Sequence, residues 1–245
     1  MGASDRVITS FAHAYLYLFG SRIAARKLKH LTDSCGNNID QLVNVSFDFE
    51  YKSRLSKNRS VNIKPRQIKS EITALCQIIQ ELDPKLIVEV GTASGGTLLL
   101  LAHVANPDKI ISIDFPGGSF GGSYHSSKIP FFKSFGKKQV VQLIRADSHS
   151  EETLAKVRSS LQDGRLDFLF IDGDHTYEGV KKDFMMYSPL IRKGGIVAFH
   201  DIVIHDPLAN CQVDRFWNEI KRNYPYVEII ESQDQKWAGI GVLYL

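Results

Sequence analysis

Two short segments of the chain place carboxylates and imidazoles where chemistry could occur. Asp172-Gly173-Asp174-His175 and His200-Asp201 each follow an apolar run that is typical of a buried strand. Open α/β sheets keep their ligand-binding and catalytic groups at the carboxyl ends of such strands. Because neighbouring strands lie about 4.8 Å apart, groups at two strand ends can converge on one point. Gathered carboxylates favour a hard divalent cation such as Mg²⁺, which would stabilise a substrate alkoxide.

A glycine-rich segment earlier in the chain could bind a ligand through its backbone. Glu89-Val90-Gly91-Thr92-Ala93-Ser94-Gly95-Gly96 follows an apolar run and precedes a helical pattern. Glycines permit a tight turn and let a ligand approach the positive N-terminus of the helix. The spacing Gly-x-x-x-Gly-Gly differs from the Gly-x-Gly-x-x-Gly of dinucleotide sites, so a pyrophosphate is not the favoured ligand. A glycine turn that binds nothing remains the alternative.

Polar residues at the next two strand ends favour a ligand for this loop. Asp114 ends the following strand, where a carboxylate can accept hydrogen bonds from both ribose hydroxyls. Asp147 and Ser148 follow the third strand, where polar groups could meet the edge of an adenine. Three such sites at successive strand ends predict one nucleoside-binding cleft.

The pattern of apolar runs predicts the elements that carry these residues. A helical stripe from Ile68 to Leu82 ends before Pro84. Strands and helices then alternate, which predicts an α/β fold with a parallel sheet covered on both faces. Two late strands without a helix between them predict an antiparallel pair at the sheet edge. The predicted strands are Leu86 to Val90, Lys109 to Asp114, Val140 to Ala146, Phe168 to Asp172, Gly195 to His200, Tyr226 to Ile230 and Ile240 to Leu245; the predicted helices are Thr97 to Ala105, Glu151 to Leu161 and Thr176 to Ile191.

Residues 1–63 lie outside this alternation and are predicted to form an N-terminal extension, with residues 64–245 as the main domain. Apolar residues recur at helical spacing before a basic stretch, so residues 5–31 are predicted to form an amphipathic helix. Two interpretations of this helix stay open: it packs against another subunit or domain, or it contacts a membrane surface. Residues 32–63 are polar and weakly periodic, which favours a long loop, with a lid as one interpretation.

Composition excludes several classes of protein. The 245 residues carry a formal charge of +3 from 30 basic and 27 acidic side chains, which is too balanced for a nucleic-acid-binding protein. The three cysteines form no Cys-x-x-Cys pair, so neither a disulfide framework nor a thiolate metal site is expected, and a reducing compartment such as the cytoplasm fits best. The apolar run from Phe11 to Gly20 is too short to cross a bilayer and lacks the cleavage site of a signal peptide.

The glycine-rich segment and the polar strand ends resemble those of class I S-adenosylmethionine-dependent methyltransferases. The resemblance implies a Rossmann-like, doubly wound, mostly parallel seven-stranded sheet with an antiparallel C-terminal strand pair. It also implies S-adenosylmethionine as the cofactor, with Glu89 near the methionine amino group, Asp114 on the ribose and Asp147 at the adenine. The other residues expected to border the cofactor are Gly91, Thr92, Ser94, Gly95, Ser148 and Asp172.

The segment Asp-Gly-Asp-His-Thr-Tyr-Glu-Gly-Val, with the following His200-Asp201, is similar to metal-dependent O-methyltransferases. The likeness covers residues 65–245 and is greatest to the rhamnosyl O-methyltransferase, cephalosporin hydroxylase-like and macrolide-sugar O-methyltransferase group. It implies Asp172 and Asp201 as ligands of Mg²⁺ or Mn²⁺, with His175 as the general base. It also implies a sugar-containing hydroxyl acceptor. His200 stands where better-known relatives have an acidic residue, and an imidazole there suits Mn²⁺ or a softer ion.

Other interpretations of these residues remain open at this stage. The chain could be an NAD-dependent oxidoreductase or a cofactor-binding module without activity, whereas an iron oxygenase lacks a second suitably placed histidine. Asp174 could cap the helix that starts near Thr176. The glycine and aromatic stretch 115–124 could fold over the cleft. Phe216 and Trp217 are predicted to be core residues. No role is assigned to the histidines other than His175 and His200.

Overall fold

Residues 32–52 contain more regular secondary structure than their sequence suggests. The structure, a computed structural model, describes residues 20–52, 60–118, 124–162 and 164–245. Helices α1 (Ser21–Cys35) and α2 (Ile39–Asp48) precede a small antiparallel hairpin of β1 (Glu50–Lys52) and β2 (Ser60–Asn62). The prediction of a long loop over residues 32–63 is therefore wrong. Asn38 starts α2 by accepting a hydrogen bond from the Gln41 N–H, and the Leu42 and Val43 side chains are buried.

The amphipathic helix predicted at residues 5–31 is described only in part. Residues 1–19 lie outside the described residues, and the remainder is helical up to Cys35. Ala24 and Leu28 are buried, and α1 packs against α2 and the later helix α5 (Ile129–Lys133). The described part of this helix thus packs on its own chain. None of the helices in the described ranges is long and apolar enough to cross a membrane.

The rest of the chain alternates between strands and helices, as predicted. Most boundaries match within one or two residues, but the helix predicted to reach Ile191 ends at Tyr187, because Pro189 follows within a 3₁₀ turn. The remaining elements are α3 (Lys69–Leu82), β3 (Leu86–Val90), α4 (Gly96–Val104), β4 (Lys109–Asp114), α5 (Ile129–Lys133), β5 (Val140–Arg145), α6 (Glu151–Leu161), β6 (Leu166–Ile171), α7 (Tyr177–Tyr187), β7 (Ile191–His200), α8 (Val213–Ile220), β8 (Tyr226–Ile229) and β9 (Ile240–Tyr244). Short 3₁₀ turns occupy Ser126–Lys128, Ser188–Leu190, Pro207–Ala209 and Lys221–Asn223.

Strands β3 to β9 form one seven-stranded sheet in the order β5-β4-β3-β6-β7-β9-β8. Strands β3 to β7 are parallel, whereas β9 runs antiparallel to β7 and β8 antiparallel to β9. The predicted α/β fold with its antiparallel C-terminal pair is confirmed. The chain moves outward from β3 to β5 and returns to β6 on the other side of β3. Open sheets place their ligand-binding crevice at such a reversal.

Two hydrophobic clusters cover the two faces of the sheet. One includes buried residues of α1 to α5, and the other includes those of α6 to α8. Phe216 and Trp217 belong to the second cluster with 1% exposure each, so the core prediction for them is confirmed. Gly241 of β9 is required there, because a Cβ at this position would lie 2.7 Å from the Trp217 ring.

Candidate active site

A cavity of about 1150 Å³ runs along the carboxyl ends of the parallel strands. Both halves predicted from the sequence open into it. The glycine-rich loop and the ends of β4 and β5 line one half, and the ends of β6 and β7 line the other. The lining residues on which the site depends are Gly91, Thr92, Ser94, Asp114, Asp147, Ser148, His149, Asp172, His175, His200, Asp201, His205 and Trp237.

The glycine-rich loop passes directly against the end of β6. Gly91 has φ +100°, and a Cβ there would lie 1.9 Å from the backbone oxygen of Asp172. Gly95 has φ +90°, and a Cβ there would lie 2.6 Å from the Phe132 ring. Only glycine adopts this conformation at both points without a clash. The loop therefore leaves its backbone open to a ligand while it touches the strand that carries Asp172.

Glu89 is completely buried at the base of this loop. Ser112 of β4 donates a hydrogen bond to the carboxyl group of Glu89, and the Ser112 hydroxyl oxygen lies 2.5 Å from that of Thr92. Burial raises the pKa of Glu89 to about 8, even though the Ser112 hydrogen bond acts against this shift. The Oε1 atom of Glu89 has no hydrogen-bond partner among the described residues. An uncompensated buried acceptor of this kind suits a cationic or donor group of a ligand.

Asp114 holds the loop from the neighbouring strand. It is 4% exposed and accepts a hydrogen bond from the Ala93 N–H at 2.7 Å. The Ser94 hydroxyl donates to the Lys64 carbonyl oxygen at 2.6 Å. These bonds fix the loop between β3 and α4 from both sides. The Asp114 side chain nevertheless lines the cavity, where a diol could meet it.

The end of β5 carries the predicted adenine-facing residues and one group that the sequence did not reveal. The Asp147 side chain is half exposed and accepts a hydrogen bond from the His149 N–H at 2.8 Å. The His149 Nε2 atom lies 3.3 Å from Oδ1 of Asp183, a completely buried carboxylate of α7. Burial raises the pKa of Asp183, and contact with Asp183 raises that of His149. This ion pair joins the β5 end to α7 behind the cavity.

Asp172, His200 and Asp201 meet at the ends of β6 and β7. The His200 Nδ1 atom lies 3.1 Å from Asp172 Oδ1 and 3.2 Å from Asp201 Oδ2. Neither ring nitrogen of His200 meets hydrogen-bond geometry with any described residue, although the side chain is only 4% exposed. Neighbouring ligand atoms around a six-coordinate Mg²⁺ lie about 3 Å apart. The orphaned nitrogen and the close carboxylates therefore fit a divalent ion.

Charge is the main force within this cluster. Burial acts to lower the pKa of His200, but the carboxylates of Asp172 and Asp201 outweigh it and hold that pKa well above the usual value. Burial acts to raise the pKa of Asp201, but His200 outweighs it and holds that pKa well below the usual value. A cation is thus favoured between the two carboxylates, whether it is a proton or a metal ion.

Two neighbours that sequence reasoning missed orient these carboxylates. The Gln67 amide donates to Asp172 Oδ2 at 2.9 Å. His205 Nε2 lies 2.9 Å from Asp201 Oδ1, which also accepts from the Ala238 N–H at 3.2 Å. The spacing of four residues between Asp201 and His205 was an available signal, whereas nothing in the sequence links Gln67 to Asp172. Both neighbours limit the orientations that the two carboxylates can adopt.

His175 reaches the same cluster from the loop before α7. Its Nδ1 atom lies 3.2 Å from Asp201 Oδ2, and its Nε2 atom lies 3.6 Å from Asp172 Oδ1. Burial acts to lower the pKa of His175, but Asp172 and Asp201 outweigh it and raise that pKa. A divalent ion on these carboxylates would oppose that rise and favour the neutral ring.

The residue that caps the N-terminus of α7 is not the one considered from the sequence. Thr176 is the N-cap of α7, since its hydroxyl accepts from the Gly179 N–H, so the interpretation of Asp174 as the cap is wrong. Asp174 accepts instead from the Thr176 N–H at 2.9 Å. A carboxylate two residues before a backbone N–H commonly forms such a turn, which competes with capping.

Two further aromatic features border the cavity. Trp237 lies between β8 and β9, lines the cavity and is 46% exposed, and the sequence pattern gave no sign of it. Phe115 and Gly118 of the predicted covering loop also line the cavity, whereas residues 119–123 lie outside the described residues. The closing loop therefore stays a prediction.

Comparison with known proteins shows similarity to methyltransferases. Residues 88–202 match the family model of a methyltransferase domain. The chain is 34% identical over 121 residues to the uncharacterized protein R132 of Acanthamoeba polyphaga mimivirus, covering 49% of this chain and 53% of that protein. It is 23% identical over 129 residues to the rhamnosyl O-methyltransferase of Mycobacterium leprae, covering 51% of this chain and 52% of that protein. The matches thus span about half the length of these relatives.

Solved structures share the fold. The O-methyltransferase TomG from Streptomyces achromogenes, in complex with S-adenosylmethionine, superposes with a TM-score of 0.54 at 17% identity, over 72% of this chain and 79% of that chain. The Rossmann-like sheet and the resemblance to class I methyltransferases, both expected from the sequence, are confirmed.

Proposed function

We propose that this chain, which contains a class I methyltransferase domain, transfers the methyl group of S-adenosylmethionine to a hydroxyl oxygen of a small molecule. One observation carries the proposal: the glycine-rich loop with Asp114 and the cluster of Asp172, His175 and Asp201 open into the same cavity. A methyl donor and a hydroxyl acceptor could thus meet there. The proposal includes the division into an extension, residues 1–63, and a catalytic domain, residues 64–245.

The cofactor half of the cavity offers groups of the right chemistry for S-adenosylmethionine. Glu89 lies below the cavity lining at the base of the glycine-rich loop, and its buried unpaired Oε1 atom suits the methionine ammonium group. Asp114, Asp147 and Ser148 line the cavity, where Asp114 could accept hydrogen bonds from the ribose diol and the other two could meet the adenine. Gly91, Thr92, Ser94 and Gly95 would border the ligand, with Asp172 at its sulfonium end. The solved O-methyltransferase from Streptomyces achromogenes, which has the same fold, binds S-adenosylmethionine.

The acceptor half would lower the activation barrier of methyl transfer by deprotonating the acceptor hydroxyl and by positioning it. Asp172, His200 and Asp201 would hold a divalent ion, Mg²⁺ or Mn²⁺, which when bound supplies Lewis acidity to the acceptor oxygen. His175 would accept the hydroxyl proton at a ring nitrogen. The sulfonium is already a good leaving group, so alignment of the acceptor oxygen with the methyl carbon supplies most of the remaining advantage.

We assign a sugar-containing molecule as the acceptor. The similarity to a rhamnosyl O-methyltransferase supports this substrate class. Trp237 adds a physical reason, because an exposed aromatic face beside polar groups is suited to the apolar face of a sugar ring. The carboxylate and imidazole cluster then meets the hydroxyls.

Binding and turnover can be tested separately. Calorimetry with S-adenosylhomocysteine should show binding to the wild type and a loss of about 10-fold or more for Asp114→Asn, since a charged hydrogen bond to the ribose is weakened. Asp108→Asn is the matched control, because Asp108 is exposed and lies at the opposite end of the same strand region. Binding of NADH in place of S-adenosylhomocysteine would contradict the proposal.

Turnover can be measured with labelled S-adenosylmethionine and a panel of rhamnosides and other glycosides as acceptors. Activity should disappear with EDTA and return with Mg²⁺ or Mn²⁺, because the ion held by Asp172, His200 and Asp201 would supply the Lewis acidity that acidifies the acceptor hydroxyl. Activity that ignores chelation would remove the metal from the proposal while leaving methyl transfer intact. Transfer only to acceptors without a sugar would remove the sugar assignment.

A further inference from the structure

A second set of donor atoms lies beside the proposed metal ligands and includes a cysteine. His175, Asp201 and Cys211 bring a ring nitrogen, a carboxylate oxygen and a thiol sulfur within 4.8 Å of one another. Asp201 is buried, whereas His175 and Cys211 are partly exposed. Mixed nitrogen, oxygen and sulfur donors are typical of sites for Zn²⁺ and other thiophilic transition ions, and Mg²⁺ does not favour them.

The position of Cys211 is fixed by the residue that follows it. The Gln212 N–H donates to the His175 carbonyl oxygen at 2.8 Å. The Gln212 side-chain oxygen accepts from the Tyr177 N–H at 3.4 Å, which ties the same two loops together again. Val213, the next residue, is buried at the start of α8. These contacts hold Cys211 beside His175, and the Cys211 thiol also forms a hydrogen bond with the His205 side chain.

The separations are close to those of a tetrahedral site. The His175 Nδ1 and Asp201 Oδ2 atoms lie 3.2 Å apart. Bonds of about 2.0 to 2.3 Å to a tetrahedral Zn²⁺ separate ligand atoms by about 3.3 to 3.6 Å. The sulfur, at no more than 4.8 Å from the other two donors, needs to move by about 1 Å. Rotation of the partly exposed Cys211 side chain provides such a movement.

We infer that His175, Asp201 and Cys211 form a second site, for a thiophilic divalent ion such as Zn²⁺, and that its occupation blocks methyl transfer. The thiol gives its proton to solvent when the metal–sulfur bond forms. The block rests on the proposed function, since the ion takes a ring-nitrogen lone pair of the proposed base and draws Asp201 away from Asp172 and His200. The Asp172 and His200 side chains are not ligands of this second ion.

Titration of the metal-free protein with Co²⁺ alone tests the site without any turnover. A thiolate bound to Co²⁺ gives a charge-transfer band in the near ultraviolet in addition to the visible bands of the ion. The band should appear in the wild type, persist in Asp172→Asn and vanish in Cys211→Ser. Visible Co²⁺ bands without the charge-transfer band, or an unchanged band in Cys211→Ser, would overturn the inference.

Alkylation supplies a measurement that does not depend on the folding of a variant. Iodoacetamide should modify Cys211 in the wild type, Zn²⁺ should slow the modification at least 10-fold, and the alkylated protein should lose the charge-transfer band. The buried Cys76 is the internal control and should remain unmodified in the folded protein. Equal alkylation rates at Cys211 with and without Zn²⁺ would contradict the site.

The block is tested last, with methyl transfer supported by Mg²⁺ or Mn²⁺. The Zn²⁺ concentration that halves the wild-type rate should rise at least 10-fold in Cys211→Ser. An equal Zn²⁺ sensitivity in both proteins would reject the block. A charge-transfer band in a protein without methyl transfer would instead reject the proposed function and leave the second site standing.

Discussion

The two halves of the cavity are held together in different ways. In the cofactor half, hydrogen bonds within the chain connect the carboxylates to their surroundings: Ser112 donates to Glu89, and Ala93 donates to Asp114. In the acceptor half, carboxylates and imidazoles face one another at 3.1 to 3.6 Å, and the ring nitrogens of His200 lie outside hydrogen-bond geometry. Hydrogen bonds to the carboxylates are present in both halves, but close contacts between several charged side chains occur in the acceptor half.

This difference has a physical reason. A loop that binds a ligand with backbone groups needs a fixed backbone, and positive φ angles with short internal hydrogen bonds provide it. A cluster that binds a cation needs negative charges kept close without neutralising one another, which costs free energy until the cation arrives. Apart from the unpaired Oε1 atom of Glu89, the cofactor half is thus held by its own hydrogen bonds, whereas the acceptor half would be stabilised by a bound cation.

The largest effect on stability should come from a substitution at Gly91, where the glycine-rich loop of the cofactor half contacts the end of β6. Gly91→Ala places a Cβ against the Asp172 backbone oxygen, so the free energy of unfolding should fall by more than about 4 kcal/mol. Gly117→Ala is the matched control, because Gly117 also has positive φ but no atom of the described residues lies within 4 Å of its Cβ position, and about 1 kcal/mol is expected. Urea unfolding of both variants measures the contrast. Equal losses would show that the close contact with β6 does not matter.

The next largest effect should distinguish catalysis in the acceptor half from ligand binding in the cofactor half. His175→Ala should lower kcat for methyl transfer about 100-fold, because no imidazole nitrogen remains to take the proton from the hydroxyl that is methylated. The affinity for S-adenosylhomocysteine should stay within about twofold, since the cofactor half does not include the ring. The exposed His30 of α1 gives the control variant His30→Ala. An unchanged kcat in His175→Ala would remove this residue from the mechanism.

A smaller effect should appear in the pH dependence of stability. The folded protein raises the pKa of Glu89 to about 8 from an ordinary 4.5, so folding favours its protonated form. The associated stability is complete below pH 4.5 and is lost as the pH rises through about 8. When the pH rises from about 6 to about 9, the free energy of unfolding should therefore fall less in Glu89→Gln than in the wild type, with a difference on the order of 2 kcal/mol. Urea unfolding at several pH values measures this difference. The same pH dependence in both proteins would contradict the raised pKa of Glu89.

The smallest effect concerns the rim of the acceptor half. Trp237→Ala should raise the KM for a sugar acceptor about threefold, since a partly exposed stacking contact is lost. Its kcat and its affinity for S-adenosylhomocysteine should not change. Met185→Ala, at an exposed position of α7 outside the cavity lining, is the control. An unchanged KM would exclude Trp237 from acceptor binding.

The sequence revealed the fold because its signals are local. Apolar runs such as Leu86 to Val90 are buried on both faces of the sheet, and period and length alone identify them. The error at residues 32–63 has a local reason too: α2 has only ten residues, and its buried residues are Leu42, Val43 and Ser46. Helix formation there depends on packing against α1 and α4, which no local pattern records.

The candidate site was predictable to the extent that its residues follow strands. Asp114, Asp172 and Asp201 come directly after apolar runs, and parallel strands bring such residues to one edge. Gln67 and Trp237 reach the cavity from distant segments, so only the folded chain brings them there. Cys211 is a similar case, because its nearness to His175 depends on the hydrogen bond from Gln212.

The strand ends around Gly91 are connected by two hydrogen bonds that continue the sheet. The Gly91 N–H donates to the Ile113 carbonyl oxygen, and the Asp172 N–H donates to the Val90 carbonyl oxygen, each at 2.8 Å. The main chain itself therefore sets the separation between the proposed ribose end and the proposed metal end of the cavity. Changes in the loops around His205 and Trp237 would alter the entrance of the cavity without altering that separation. If the proposed function is correct, the range of acceptors could therefore evolve while the positions of the reacting groups are retained.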